Sequence, residues 1–268
     1  MNKIDDALQA INELDDLAKR DQWINRLHPL VKFVVTFFYL LFVVSFNRYD
    51  LIGLFGMFVY PFVLFQLTEL SFTKAIRYLR LPMIFVIGVS IWNPFFETTP
   101  YLIGKVFTIN YGMISMLGLL CKGFFTLLAI YLLIATTSVE DICYSLSLLH
   151  VPHILTTVLL LIYRYIRVLL EEVSHTLNAY ALRAPLQKGI HWKSWGSLVG
   201  QLLLRSIDRA NEVYQSMCLR GFQGNFSSYP LEKPKKQDWL YLLLWLFILF
   251  VFRFIPVFSI LGTLFILR

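Results

Sequence analysis

Apolar blocks about as long as a bilayer is thick, separated by short polar breaks, set the pattern of this chain. A hydrocarbon core of roughly 30 Å takes about 20 helical residues, and somewhat fewer where the flanks sink into the headgroups. Leu30 to Phe46 holds no acidic residue and only Lys32 as a base, which predicts a first span with Lys32 at the interface. Asn47-Arg48-Tyr49-Asp50 reads as a turn, and Leu51 to Leu67 crosses back with a kink expected at Pro61. Thr68 to Arg80 carries Lys74, Arg77 and Arg80 and reads as a compact cationic loop. Leu81 to Phe96 is a short third span with Pro82 at its start and Asn93-Pro94 near its end; the polar loop from Glu97 to Asn110 holds one base, Lys105. Tyr111 to Ala135 is the fourth span, interrupted by Lys122, which is placed to snorkel or to face other helices. After a long polar stretch, Trp239 to Phe252 is apolar again, and Arg253 and Pro256 divide it from a tail, Val257 to Leu267, whose path the pattern leaves open. The fold class expected is an all-α integral membrane protein with about five transmembrane helices and a cytoplasmic module of long helices between the fourth and the last span.

Helical periodicity continues outside the spans. Ile4, Ala7, Leu8, Ile11, Leu14 and Leu17 recur at three- and four-residue intervals, one apolar stripe on a short amphipathic helix. Leu27-His28-Pro29-Leu30-Val31-Lys32 punctuates the way into the membrane, since Pro29 suits a first helical turn, where a missing N–H costs nothing. Within the polar stretch, Pro152 separates a segment from Ser138 to Leu149 from a helix that begins near His153 and runs to Ala184. A helix of about 30 residues is roughly 45 Å long. Its apolar first half, Ile154 to Ile162, suits a position under or in the bilayer, while its second half projects beyond. Pro185 stops it, because the residue before a proline avoids helical geometry, so Arg183 falls in the last turn. Lys188 to Trp195 reads as a loop with two tryptophans suited to the headgroup zone. Ser197 to Leu219 forms the next helix, with Arg205 and Arg209 on its polar side, Arg220 expected in its last turn, and Gly221 ending it.

Charge placement orients this pattern. Charged residues make up 15% of the chain, against roughly a quarter in a soluble protein, and the net charge is +7. With the N-terminus inside, the cytoplasmic segments hold 19 of the 24 Lys and Arg, and the two outer loops between spans hold Arg48 and Lys105 alone, a strong positive-inside asymmetry. Six acidic residues within the first 21 argue against a cleavable signal peptide. The expected domains are a cytoplasmic amphipathic segment (1–29), a four-span region (30–135), a cytoplasmic coupling-helix module (136–238) and a last span with tail (239–268). The expected location is a prokaryotic cell membrane. Cys121, Cys143 and Cys218 show no disulfide spacing, and the cations follow topology, with no sign of nucleic acid.

Candidate chemistry concentrates at two helix ends. Leu182-Arg183-Ala184 and Leu219-Arg220-Gly221 are nearly the same tripeptide, their arginines 37 residues apart. The helix macrodipole favours an arginine at a C-terminus by a few tenths to about 1 kcal/mol. Repetition points further, to a surface that docks into two equivalent acidic or carbonyl-lined pockets, since guanidinium suits bidentate capture and the small residue after it leaves room for approach. Gly196 and Gly200, four apart, with Leu203, Ile207 and Ala210, mark a face where another helix crosses closely.

Other chemistries find little purchase. Membrane transferases need clustered aspartates for Mg²⁺ and phosphate, and Glu140-Asp141 and Glu171-Glu172 are not so spaced. No Gly-x-x-x-x-Gly-Lys-Ser/Thr occurs, so ATP hydrolysis falls to another chain. A secondary transporter normally carries an ionisable coupling residue in its spans, and Lys122 is the one deep candidate. Pro152 denies His150 and His153 a shared helical face, which leaves them a turn, and His28, His175 and His191 show no metal-ligand spacing. No metal site is expected, and Cys218 reads as a small packing residue.

The run Leu202-Leu203-Leu204-Arg205-Ser206-Ile207-Asp208-Arg209-Ala210-Asn211-Glu212-Val213-Tyr214-Gln215-Ser216-Met217-Cys218-Leu219-Arg220-Gly221-Phe222 resembles the transmembrane coupling component of energy-coupling factor (ECF) transporters, above all the cobalt-type CbiQ branch. The resemblance extends through Tyr180-Ala181-Leu182-Arg183-Ala184-Pro185 to Leu-His-Pro-x-x-Lys at Leu27 and covers most of the chain. In that family two Ala-Arg-Gly-like motifs end the coupling helices, and their arginines insert into two ABC-type ATPase subunits. The resemblance implies this role for Arg183 and Arg220, flanked by Leu182, Ala184, Leu219 and Gly221; Leu replaces the first Ala in both motifs and Ala184 replaces Gly in one. It implies a membrane-embedded substrate-binding partner, cobalt or nickel ion as substrate, and no cofactor in this chain, with ATP and Mg²⁺ held by the ATPases.

Overall fold

The computed structural model describes residues 3–96, 100–103, 107–185, 191–222 and 234–254. The expected tail at 256–268, Lys105 and Lys188 lie outside them. Among the described residues the order is α1 (Lys3–Ala18), α2 (Pro29–Ser45), α3 (Leu51–Gly56), α4 (Val59–Thr68), α5 (Phe72–Phe96), β1 (Pro100–Ile103), β2 (Phe107–Asn110), α6 (Tyr111–Thr136), α7 (Val139–Leu148), α8 (His153–Arg183), α9 (Trp192–Leu219) and α10 (Lys236–Phe254). The fold is helical, and β1 and β2 form one small antiparallel hairpin in the segment expected as a polar loop. The chain divides into two compact units, one of Met1–Asp16 with Val139–Leu231 and one of Leu17–Ser138 with Glu232–Arg268.

The second unit is built around α2. Val31, Val35, Tyr39 and Val43 recur every four residues and are fully buried, one face of a helix repeating at 3.6 residues per turn. Against this stripe pack Leu54 of α3, Met57 just after it, Tyr60 and Leu64 of α4, Phe125, Ala129 and Leu132 of α6, and Tyr241, Trp245 and Leu249 of α10. Tyr39 stacks on Tyr60 with ring centroids 4.5 Å apart, and Trp245 meets Tyr60 edge-on at 4.9 Å. Phe62, Ile84, Phe85, Phe247 and many other large apolar side chains stay exposed, which suits a helix bundle whose solvent is lipid. Gly123 allows α5 to lie against α6: a Cβ there would come within 2.4 Å of Val86 Cγ1.

Proline chemistry shifts several predicted boundaries. The span expected to kink at Pro61 breaks one turn earlier, at Met57 and Phe58 between α3 and α4. Proline has no N–H for the carbonyl four residues before it and its ring crowds that carbonyl, which here belongs to Met57. The Tyr39 hydroxyl takes over, donating to Met57 O at 3.1 Å. Tyr39→Phe is therefore expected to lower stability by about 1 kcal/mol, seen as a lower thermal-unfolding midpoint in detergent; an unchanged midpoint would show that this carbonyl does not need the phenol. The cationic loop expected at 68–80 is instead helical from Phe72, so Lys74, Arg77 and Arg80 ride on the first turns of α5, which runs through Pro82 and Pro94.

Five helical stretches are long and apolar enough to cross a membrane: Leu51–Thr68, Phe72–Phe96, Tyr111–Thr136, His153–Arg183 and Lys236–Phe254. The number matches the expectation; the membership differs. At 17 residues α2 is just short of that length, while α8, whose apolar first half was expected under or in the bilayer, reaches it.

Both lysines singled out along the spans act on main-chain carbonyls. Lys122 donates to Val44 O at 3.1 Å and to Phe46 O, and Arg253 Nη2 donates to Ser45 O at 3.1 Å and lies over the Phe46 ring. Two cations thus satisfy the C-terminal carbonyls of α2, the end where the macrodipole favours positive charge. Lys32 is buried within the protein, at 5% exposure.

Candidate functional site

The two predicted arginine ends lie on α8 and α9 of the first unit, reached from α7. Helix α7 ends in a left-handed residue, His150 (φ 63°), with Val151 N–H bonded to Leu146 O at 3.2 Å. The turn expected around Pro152 is therefore a helix C-cap, with His150 at the position glycine usually takes. Burial and the neighbouring Glu140 carboxylate push the Cys143 thiol pKa up, so this cysteine of α7 stays protonated and inert.

Helix α8 runs unbroken for 31 residues, about 46 Å at 1.5 Å per residue. Arg183 is its last residue and Ala184 its C-cap, whose N–H bonds to Tyr180 O at 3.0 Å. Helix α9 ends differently. Its last helical residue is Leu219, so Arg220 is the C-cap and not part of the last turn as expected. Gly221 takes φ +81°, Gly221 N–H bonds to Cys218 O and Phe222 N–H to Met217 O, both at 3.0 Å. This double closure needs a left-handed residue after the cap, which Gly221 supplies without steric cost.

Both ends are bare. Leu182 is 84% and Leu219 90% exposed, and Arg183 and Arg220 are exposed and form no ion pair with another described residue. An isolated exposed leucine needs no explanation; two, each beside an unpaired guanidinium at a helix end, make matched apolar and cationic tips.

The glycine face is open as well. A Cβ on Gly196 or on Gly200 would meet nothing within 4 Å, and Leu203 and Ile207 are more than half or half exposed. Ala210 instead lines the apolar groove between α8 and α9, with Leu161, Leu169, Val213 and Met217. Within this chain α9 therefore does not cross another described helix closely at the glycines. Helix α9 also starts earlier than expected, at Trp192, so Trp192 and Trp195 are helical rather than in a loop. Cys218, expected to pack, is exposed, and its hydrogen bond to Tyr214 pushes the phenol pKa up.

Two polar contacts brace the unit. Arg205 of α9 pairs with Glu172 of α8. Asp15 of α1 accepts from Tyr163 Oη and pairs with Arg167, whose guanidinium also lies 5.3 Å from the Tyr163 ring centroid. Sequence reasoning missed this second cluster. Its signal was the four-residue spacing of Tyr163 and Arg167, which stacks them on one face, and a carboxylate at the margin of the apolar stripe of α1. Among the described residues no three His, Cys, Asp or Glu side chains come together as metal ligands would.

Known proteins match part of this chain. Over 121 residues it is 31% identical to the nickel permease LarQ of Lactiplantibacillus plantarum, covering 44% of each chain. Over 125 residues it is 28% identical to an uncharacterized protein of Methanocaldococcus jannaschii, covering 46% of this chain and 41% of that one. The chain thus spans less than half the length of the curated relatives it matches. The family signature reaches further: residues 20–230, from just after α1 to beyond the α9 tip, match CbiQ, cobalt transport protein. With so much of its length covered, including both arginine-tipped helices, the chain belongs to the CbiQ cobalt transport protein family.

Proposed function

We propose that this chain is the transmembrane coupling subunit of an ATP-driven ECF-type importer, with cobalt or nickel ion as its cargo. Two ABC-type ATPase subunits bind ATP and Mg²⁺ and dock on the α8 and α9 ends through Arg183 and Arg220, with Leu182, Ala184, Leu219 and Gly221 shaping each contact. Their approach and separation during the ATP cycle moves the helices. A membrane-embedded substrate-binding subunit, resting on the α9 face of Gly196, Gly200, Leu203 and Ile207 and on the groove that Ala210 lines, answers that movement. Coupling of this kind requires each state to favour different contacts. In this reading the N-terminus and the 136–238 module face the cytoplasm of a prokaryotic cell.

The observation that carries the proposal is the pair of bare helix ends, each joining an exposed leucine to an arginine without an ion-pair partner among the described residues. Guanidinium presents donors in a rigid fork that suits carbonyl and carboxylate pockets. The metal assignment follows the family's description and the nickel permease relative. A secondary transporter would use Lys122 as its deep charge, yet that ammonium caps α2.

Tagged full-length chain purified from its own membranes is expected to bring down two ABC-type ATPase subunits and a small membrane protein. The reconstituted complex is expected to take up cobalt(II) or nickel(II) only with ATP. Recovery of the chain alone, or ATP-independent uptake by it, would overturn the proposal.

A further inference from the structure

Lys32 is the one lysine or arginine buried among the described residues, at 5% exposure. An ammonium leaves water only at a cost, which hydrogen bonds must offset. Its Nζ donates to Thr136 O, the last residue of α6, at 2.7 Å and to Asn25 O at 3.3 Å. The Asn25 amide in turn donates to Leu17 O at 3.0 Å and Ala18 O at 3.1 Å, capping α1. One turn before Lys32, the His28 N–H donates to Asp238 Oδ1 at 3.1 Å, and Asp238 Oδ2 accepts from Lys235 N–H at 2.7 Å. His28 and Asp238 are buried too, so each bond persists with little competition from water.

These residues share a place along the chain. It passes between its two units three times, after residues 16, 138 and 231. Leu17 and Ala18 follow the first passage at once, Thr136 stands two residues before the second, and Lys235 comes four residues after the third. Every atom of the network belongs to the second unit. Lys32 joins Thr136 O, at the second passage, to Asn25, whose amide holds the carbonyls at the first, and the α2 turn that carries it holds the third through His28.

We propose that Lys32 is a positioning residue of the transport cycle: it makes the three roots one rigid base, so that movement imposed on the 139–231 unit reaches α2, α6 and α10 together. Without it each helix end frays separately and absorbs the movement. The inference rests on the coupling function proposed above.

The complete complex in proteoliposomes tests it, with ATP hydrolysis and radioactive cobalt(II) uptake measured in the same vesicles. Lys32→Met is expected to assemble and to hydrolyse ATP within about twofold of wild type, while cobalt carried per ATP falls about tenfold or more, both ammonium bonds to Thr136 O and Asn25 O being lost. Lys32→Arg keeps donors at the site and is expected to restore most of the ratio. Asn25→Ala, which removes only the bonds to Leu17 and Ala18, is expected to lower the ratio about threefold. An unchanged ratio in Lys32→Met, or hydrolysis and uptake falling together at constant ratio, overturns the inference. Should Lys32→Met fail to assemble, an unchanged ratio in Asn25→Ala overturns it instead. Wild-type vesicles without ATP-driven uptake overturn the coupling function itself, whereas a coupled wild type with an equally coupled Lys32→Met overturns only the role of Lys32.

Discussion

Replacing Arg183 and Arg220 together by alanine is expected, on the proposed coupling role, to prevent co-purification of ABC-type ATPase subunits and to abolish metal uptake. An interfacial arginine that anchors a contact contributes about 2 kcal/mol or more, roughly thirtyfold in affinity. Each single change should therefore weaken co-purification visibly, and two such losses in one complex should leave almost none. The fold has little at stake. Both side chains are exposed at helix ends, where loss of the cation costs the helix about 1 kcal/mol at most, and the α9 end is closed by main-chain bonds of Gly221 and Phe222 that Arg220→Ala leaves in place. Lysine at either position keeps the charge without the fork and is expected to restore binding only in part. A double variant that retains its ATPases and transports normally would show that the helix ends are merely capped by their arginines.

Gly200→Leu is expected to leave the isolated chain intact and to uncouple the complex. Open space surrounds the position where the new side chain would start, and removing a glycine from a helix interior stabilises it by about 0.8–1.0 kcal/mol. The chain should insert and unfold at the same temperature or slightly higher. In the complex, the same leucine would hold off a helix of the substrate-binding subunit, since glycine faces let backbones approach where larger residues do not. Uptake is expected to fall about tenfold or more with ATP hydrolysis retained, from 1–2 kcal/mol of lost contact. Unchanged uptake would mean that this face stays bare in the complex as well.

Much of this was legible in the residues. The apolar blocks located most of the membrane-length helices, and Pro152 and Pro185 bounded α8, and Gly221 the end of α9, within a residue or two, because each acts locally on backbone geometry. Most of what the residues did not reveal depended on partners distant in sequence. Met57 and Phe58 became the break in the second span because Tyr39 could take a carbonyl that Pro61 left free. The burial of Lys32 was hidden because nothing local reveals that Thr136 O and Asn25 O accept from it. Arg220 was misplaced by one residue because the double closure around Gly221 makes the arginine the cap. At the site, the arginine ends were visible as a repeated tripeptide. The Asp15, Tyr163 and Arg167 cluster was hidden by the 148 positions that separate Asp15 from Tyr163.

The capped end of α2 bears on how distant parts of the protein are tied together. At 17 residues this apolar helix is short for a bilayer. Its closing carbonyls are met by Lys122, 78 positions after Val44, and by Arg253, 208 positions after Ser45. Unpaired carbonyls are costly in hydrocarbon, so the end of α2 is completed only where α6 and α10 bring their cations to it, and a change on either distant helix is felt at the close of this one.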